Sequence, residues 1–247
     1  RAADGFQPDA AIIEKAVRET TRAILINTPN NPTGAVYSRA ALEALAVVCK
    51  RHDLWLLSDE VYWTLGGGEH VSPRALPGMA DRTLVINSMS KSHGMTGWRL
   101  GWLTGPADFI SLLVSLNLVT TYGLTDFVSR AAIEALNSDY GVKEIAARYA
   151  ARRTVFLDAV RGMNDIVVRG SEGGMYVMLD VSAIEPDDEK FAWALLDAEL
   201  VGVMPGSSFG EAAAGHIRIS LCQPEEVLQE AAHRLRRFVS AYRNKAA

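Results

Sequence analysis

Blocks of apolar residues with two different spacings follow each other along the chain. Short, uninterrupted apolar runs are typical of strands that are buried on both faces of a parallel sheet. Longer blocks repeat apolar residues every three to four positions, as expected of a helix with one buried face. The strands predicted in the first half of the chain are 23–27, 54–58, 83–87 and 100–104.

Helical blocks alternate with these strands, which is the pattern of an α/β fold. The predicted helices are 9–18, 39–52 with Ser38 as its N-cap, 106–118, 126–136 and 142–161. Beyond them the spacing predicts strands 174–180 and 216–221, and helices 187–199 and from Pro224 onward. We therefore predict a mostly parallel sheet domain at residues 1–140, followed by a connecting helix and a smaller α+β domain at residues 141–247.

Composition favours small-molecule chemistry over a nucleic-acid or membrane partner. Of the 247 residues, 49% are hydrophobic and 22% charged, with a formal net charge of −4 that gives no basic surface. The longest apolar stretch, 112–119, is too short to span a bilayer. Cys49 and Cys222 lie far apart, which suits a reducing cytoplasm, and the histidines lack metal-ligand spacing. We expect a cytoplasmic protein without a metal.

The segment 88–99, SMSKSHGMTGWR, has side chains that suit a phosphorylated aldehyde. It follows the apolar strand 83–87, and open α/β sheets bind ligands at the carboxyl ends of their strands. Lys91 is able to form a Schiff base, and Arg99 is able to bind a phosphate through two donors. The hydroxyls of Ser88 and Ser90 are further donors. Taken alone, these residues also fit a solvated loop with two surface cations.

Five motifs resolve this choice, because together they resemble class I aminotransferases of the aspartate aminotransferase fold. Segment 88–99 resembles the lysine signature of that family. The other four motifs stand in the order of the family: NPTG at 31–34, DEVY at 59–62, PGSSFG at 205–210 and HIRIS at 216–220. The resemblance covers essentially the whole chain. It implies part of the three-layer large domain of a pyridoxal-5′-phosphate (PLP)-dependent transferase, with the smaller α+β domain after it.

The resemblance also implies how PLP is bound. The residues that it assigns to the cofactor are Asn31, Asp59, Tyr62, Ser88, Ser90, Lys91 and Arg99. Lys91 holds PLP as a Schiff base, and the Asp59 carboxylate pairs with the protonated pyridine nitrogen. Tyr62 and Asn31 bind the phenolic oxygen, and Lys91, Asp59 and Tyr62 are the expected catalytic residues. The Asn31–Pro32 peptide is expected to be cis.

Arg218 is the candidate for binding the substrate carboxylate. In 216–220, Ile217 and Ile219 alternate with polar residues, so Arg218 is predicted to leave the face that meets the core. A guanidinium matches a carboxylate through two parallel hydrogen bonds. The residues alone leave open a surface arginine on an edge strand, whereas the resemblance assigns Arg218 to the α-carboxylate. Asn31 and Phe209 are expected to line the same pocket.

The function that the resemblance implies is transfer of an α-amino group from an L-amino acid to pyruvate or 2-oxoglutarate, in ping-pong half-reactions. Two alternatives share the same residues: another PLP enzyme, such as a β-lyase or decarboxylase, and a non-catalytic PLP-binding regulatory module. The stretch 68–79, together with Trp102, looks closest to arginine:pyruvate transaminases.

The family also implies a homodimer and a further N-terminal portion. Segment 120–123 resembles the region that reaches across the dimer interface. The N-terminal portion of the family supplies a turn over the cofactor phosphate and a ring that stacks on the pyridine. We therefore expect that these 247 residues are not a self-sufficient enzyme.

Overall fold

The computed structural model describes residues 4–68, 70–138 and 141–246, and the side chains up to residue 242. It forms two compact units. The N-terminal unit comprises Gln7–Pro29 and Tyr37–Ala146, and the C-terminal unit comprises Arg1–Phe6, Asn30–Val36 and Ala147–Ala247. The domain boundary predicted at residue 140, and Glu69 in the stretch 68–79, lie outside the described residues.

A four-stranded sheet with the order β1–β2–β3–β4 forms the centre of the N-terminal unit. Its strands are β1 (Ala23–Asn27), β2 (Trp55–Asp59), β3 (Thr83–Ser88) and β4 (Gly101–Thr104). The first three are parallel, and β4 runs antiparallel to β3. The four strands predicted here are therefore present, and the mostly parallel sheet is confirmed.

Five helices accompany this sheet. They are α1 (Ala10–Ala16), α2 (Arg39–Arg51), α3 (Met89–Ser92), α4 (Ala107–Thr121) and α5 (Asp126–Asn137). Helix α2 begins where predicted, because the Ser38 hydroxyl accepts a hydrogen bond from the Ala41 amide. Its apolar face, which includes Leu42 and Leu45, packs on Ile26 and Leu56 of the sheet.

The prediction that β1 is buried on both faces is wrong for the described chain. Ile24 and Ile26 belong to the core cluster formed with α2, whereas Leu25 is 67% exposed. Strand β1 is the edge of the sheet, and successive side chains of a strand point to opposite faces. Helix α2 covers the face of Ile24 and Ile26, and the face of Leu25 has no such cover among the described residues.

A second four-stranded sheet, entirely antiparallel, forms the C-terminal unit in the order β5–β6–β8–β7. Its strands are β5 (Val167–Arg169), β6 (Tyr176–Asp180), β7 (Met204–Pro205) and β8 (His216–Ser220). Its helices are α6 (Val142–Val160), within which the two units divide, α7 (Asp188–Glu199) and α8 (Glu225–Ala246). Strands β5 and β7 were not predicted, because three and two residues are too few to show a period.

Segment Asn30–Val36 packs within the C-terminal unit. The Gly34 carbonyl accepts a hydrogen bond from the Gly173 amide at 2.7 Å. Gly34 has φ +72°, and a Cβ there would lie 2.7 Å from the Tyr176 carbonyl oxygen, so only glycine fits this contact. The Asn31–Pro32 peptide in this segment is cis, as predicted.

None of the helices in the described part of the chain is both long and apolar enough to cross a membrane.

Candidate active site

Asp59 is the last residue of β2, at the carboxyl end of the parallel strands. Its Oδ1 accepts a hydrogen bond from the Val61 amide at 3.1 Å. Its main-chain oxygen accepts from the Thr28 amide and from Asn27 Nδ2, both at 3.0 Å. Within residues 4–68, 70–138 and 141–246, no lysine, arginine or histidine forms an ion pair with Asp59. A half-buried carboxylate in this position fits a cationic ligand group.

The electrostatic surroundings of Asp59 are unfavourable for its own charge. Burial raises the pKa of the Asp59 carboxyl; the hydrogen bond from the Val61 amide opposes that rise, and the negative charge of Glu60 adds to it. A cation at this carboxylate, such as a protonated pyridine nitrogen, would reverse the balance and favour the ionised form.

Tyr62 follows Asp59 by three residues and is 5% exposed. It precedes a 3-10 turn at Trp63–Leu65, and its main-chain oxygen accepts from the Leu65 amide at 2.8 Å. The DEVY segment thus leaves β2 and turns within a few residues. The Tyr62 side chain is therefore buried.

Lys91 lies on α3, a single helical turn near the start of the segment 88–99. Helix α3 begins directly after β3, and Ser88 is its N-cap. Ser88 Oγ accepts from the Ser90 amide at 3.0 Å and donates to the Leu100 carbonyl at 3.1 Å. Because the Ser88 proton is used in this way, Ser90 has the hydroxyl better able to donate to a ligand.

Arg99 lies between α3 and β4, directly after a 3-10 turn at Thr96–Trp98. It has a left-handed backbone with φ 53°, and its side chain is exposed. Nη1 donates to the Thr96 carbonyl at 3.0 Å, and the guanidinium has no acidic partner in the part of the chain that the structure describes. PLP has a ring nitrogen, an aldehyde and a phosphate. Asp59 offers an acid for the ring nitrogen, Lys91 an amine for the aldehyde, and Arg99 an unneutralised guanidinium for the phosphate.

In the C-terminal unit, Arg218 lies on β8 with aromatic rings beside it. Nη1 donates to Asn31 Oδ1 at 2.9 Å. The guanidinium carbon lies 4.3 Å from the centre of the Tyr176 ring and 4.8 Å from that of Phe209. Nε is buried and has no hydrogen-bond partner among the described residues. Three of the predicted residues, Asn31, Phe209 and Arg218, are therefore brought together within this unit.

The strand pattern predicted for 216–220 is correct for the isoleucines and incomplete for His216. Ile217 and Ile219 are in the core, and Arg218 is only partly buried. His216 is on the same side of β8 as Arg218 but is only 6% exposed, and the centre of the Phe6 ring lies 5.8 Å from the centre of its own ring. Alternation shows which face a residue takes, and not what covers that face.

Arg218 has the chemistry of a carboxylate-binding residue. No aspartate or glutamate forms an ion pair with it within the described ranges, so its charge is not neutralised there by the protein. Its bond to Asn31 uses the amide oxygen, which leaves the amide nitrogen of Asn31 as the donor of that side chain.

Tyr176 is the residue of this group that sequence analysis missed. In the β6–β8 ladder Tyr176 pairs with Ser220 and Met178 pairs with Arg218, so Tyr176 and Arg218 are diagonal neighbours on one face. A strand at 174–180 was predicted from the sequence. Its pairing partner and register were not, and these are what bring the ring to the arginine.

The burial of Asp59 leads to a prediction for the protein without cofactor. Because the pKa of the Asp59 carboxyl is raised in the folded state, ionisation of Asp59 opposes folding. The folded protein therefore loses stability as the pH rises through that pKa. Asp59→Asn, which keeps an acceptor for the Val61 amide, should therefore be more stable than wild type at pH 7. The difference should vanish below about pH 4.

Urea unfolding at both pH values measures this, with Asp81→Asn at an exposed position as the control. A less stable Asp59→Asn variant at pH 7, or a difference that does not depend on pH, would contradict the prediction.

The sequence matches the family Aminotransferase class I and II over residues 1–235. It is 43% identical over 237 residues to an arginine–pyruvate transaminase of Pseudomonas aeruginosa, covering 95% of this chain and 60% of that protein. It is 39% identical over 242 residues to an aspartate/prephenate aminotransferase of Thermus thermophilus, covering 96% of this chain and 61% of that protein. The chain thus spans about 60% of the length of these relatives.

Solved structures agree with these matches. An aspartate aminotransferase from Thermus thermophilus with maleate superposes with a TM-score of 0.89 at 37% identity, covering 96% of this chain and 62% of that one. An aromatic aminotransferase from Pyrococcus horikoshii superposes with a TM-score of 0.94 at 33% identity, covering 98% of this chain and 66% of that one. The predicted fold is confirmed. The chain belongs to the class I and II aminotransferase family, whose members use pyridoxal 5′-phosphate.

Proposed function

We propose that the protein is a PLP-dependent aminotransferase that moves the α-amino group of an L-amino acid to a 2-oxo acid. The observation that carries this proposal is Arg218, a guanidinium without an acidic partner among the described residues, in a family that uses PLP. An amino acid and a 2-oxo acid share a carboxylate next to the reacting carbon, so one arginine serves both half-reactions. The names of the relatives favour transamination over a β-lyase or decarboxylase reaction.

When bound, PLP supplies a reactive aldehyde and an electron-withdrawing ring. Asp59 would hold a proton at the ring nitrogen, because a half-buried carboxylate gains from a cationic partner. Tyr62 and Asn31 bind the phenolic oxygen. Arg99 and Ser90 would bind the phosphate, and Ser88 caps the helical turn that carries Ser90.

Lys91 has two roles in this proposal. Its amine would hold the cofactor while no substrate is bound. Once the amino group of the substrate has displaced it, the same Nζ would be free to take the proton from the substrate α-carbon and to return one later. Because Lys91 lies on the turn that directly follows β3, the sheet fixes the position of its backbone. Arg218, with Asn31 against it, binds both oxygens of the α-carboxylate and so orients the α-carbon.

A cytoplasmic location is part of the proposal. Cys49 is buried in α2, where burial raises the pKa of its thiol to about 11, and Cys222 is exposed. Both are free thiols. An exposed thiol such as that of Cys222 persists most readily in a reducing compartment.

We also propose that the protein is a homodimer, on the basis of α4. This helix has no buried residue, and a helix that is apolar on all sides needs cover in an assembly. Its large exposed side chains are Leu112, Val114, Leu116, Leu118 and Val119. Tyr122, in the segment likened to the dimer-crossing region of the family, is 87% exposed. We assign the cover to a second copy of the chain.

The function is tested by transamination assays of the native-length protein, with arginine and pyruvate as the first donor and acceptor, followed by other donors and 2-oxoglutarate. Arg218→Ala should raise KM for amino and oxo acid alike, by roughly 2 to 4 kcal/mol of lost binding. Arg148→Ala, at an exposed position of α6, is the control and should change neither. Unchanged KM values for Arg218→Ala, or release of ammonia or carbon dioxide in place of a new amino acid, would refute the assignment.

The dimer is tested by sedimentation at several protein concentrations. Val119→Glu should shift the native-length protein toward monomer, because a charge would have to be buried in the interface. Trp193→Glu, at an exposed apolar position of α7, should leave the dimer intact. A wild-type monomer, or a folded Val119→Glu variant that dimerises as wild type does, would show that something other than a second copy covers α4.

A further inference from the structure

We propose that Tyr176 is a positioning residue for Arg218: its ring holds the guanidinium in the plane in which it receives the substrate carboxylate. This inference rests on the proposed function and adds a residue to the substrate site that none of the five sequence motifs contains.

Strand register places the two side chains against each other. Tyr176 pairs with Ser220 and Met178 pairs with Arg218, so both side chains project from the same face of the β6–β8 ladder. The guanidinium carbon lies 4.3 Å from the ring centre, well inside the roughly 6 Å range of cation–π attraction. The contact is therefore set by two paired strands rather than by a loop.

The backbone of Tyr176 is also fixed on its other side. Its carbonyl oxygen lies where a Cβ of residue 34 would come within 2.7 Å, so it touches the segment that carries Asn31. The backbone of Tyr176 thus contacts the segment that carries Asn31, and the ring of Tyr176 contacts Arg218. A shift of Tyr176 would disturb both.

Arg218 needs a restraint that leaves its donors available. Asn31 Oδ1 accepts a hydrogen bond from Arg218 Nη1, and a hydrogen bond at one nitrogen does not by itself fix the plane of the guanidinium. A ring stacked on the guanidinium uses its π face and none of its N–H groups, which lie in the plane. The remaining donors therefore stay directed at a carboxylate.

Phe209 also contacts Arg218, but its position differs. Its ring is 4.8 Å from the guanidinium carbon, it is 37% exposed, and it belongs to a short 3-10 turn. Tyr176 is closer and belongs to a strand with hydrogen-bonded neighbours on both sides. For these reasons we assign the restraint to Tyr176.

The experiment compares Tyr176→Leu and Tyr176→Phe in the native-length protein with PLP bound. Dissociation constants are measured for propionate and maleate, which carry carboxylates but no amino group, and KM and kcat are measured for amino and oxo acid. Tyr176→Leu should weaken both carboxylates and raise both KM values by roughly five- to thirtyfold. Its kcat and its affinity for PLP should change less than twofold. Tyr176→Phe, which keeps the ring, should behave as wild type.

Two controls separate positioning from loss of stability. Tyr242→Leu removes a ring that packs on Phe191 and Phe238 in the same unit; it should lower stability and leave carboxylate binding unchanged. In an Arg218→Ala background, Tyr176→Leu should have no further effect on carboxylate affinity. If Tyr176→Leu fails to fold, Tyr176→Met takes its place.

Carboxylate binding by Tyr176→Leu equal to that of wild type overturns the proposal. So does equal weakening in Tyr176→Phe, which would show that the hydroxyl matters and not the ring. If the wild type binds carboxylates and Tyr176→Leu weakens that binding as expected, but the wild type transaminates no donor, the proposed function fails while the role of Tyr176 stands.

Discussion

Parallel pairing between β2 and β3 is the constraint on which the proposed cofactor-binding part of the site depends. In that ladder Asp59 lies beside Ile86, so the two strands end at one edge of the sheet. Two residues later Ser88 caps the helical turn that carries Lys91. The ladder thus sets the level of the carboxylate and of the amine through backbone bonds alone. A slip of one residue would turn Asp59 to the opposite face.

The same principle governs the C-terminal unit, with an antiparallel ladder. Pairing of β6 with β8 sets Tyr176 diagonally to Arg218, and the glycine contact at Gly34 brings Asn31 to the same arginine. Each unit therefore places its own candidate site residues by short-range geometry. Strands and helical turns carry most of these residues, whereas Arg99 lies in the connection before β4.

Periodicity was sufficient for the long elements and for the residues attached to them. Strand β1 was predicted to the residue, and α2 with its Ser38 cap to within one residue at its end, because caps and spacing are local properties. The exposure of Leu25 and the burial of His216 were not predictable, since they depend on what covers a face. The Ser88 cap and the Tyr176 contact needed a backbone turn and a strand register that no single segment specifies. The roles of Asp59 and Tyr62 came from motif resemblance rather than from spacing.

The central claim is that Lys91 is the residue to which the cofactor is attached. Borohydride reduction of the native-length protein with PLP, followed by peptide mapping, tests it directly, with Lys15, Lys50, Lys143, Lys190 and Lys245 as internal controls. The account predicts one pyridoxyl group per chain, on the peptide that contains Lys91. A pyridoxyl group on one of the other five lysines, with Lys91 unmodified, would contradict it.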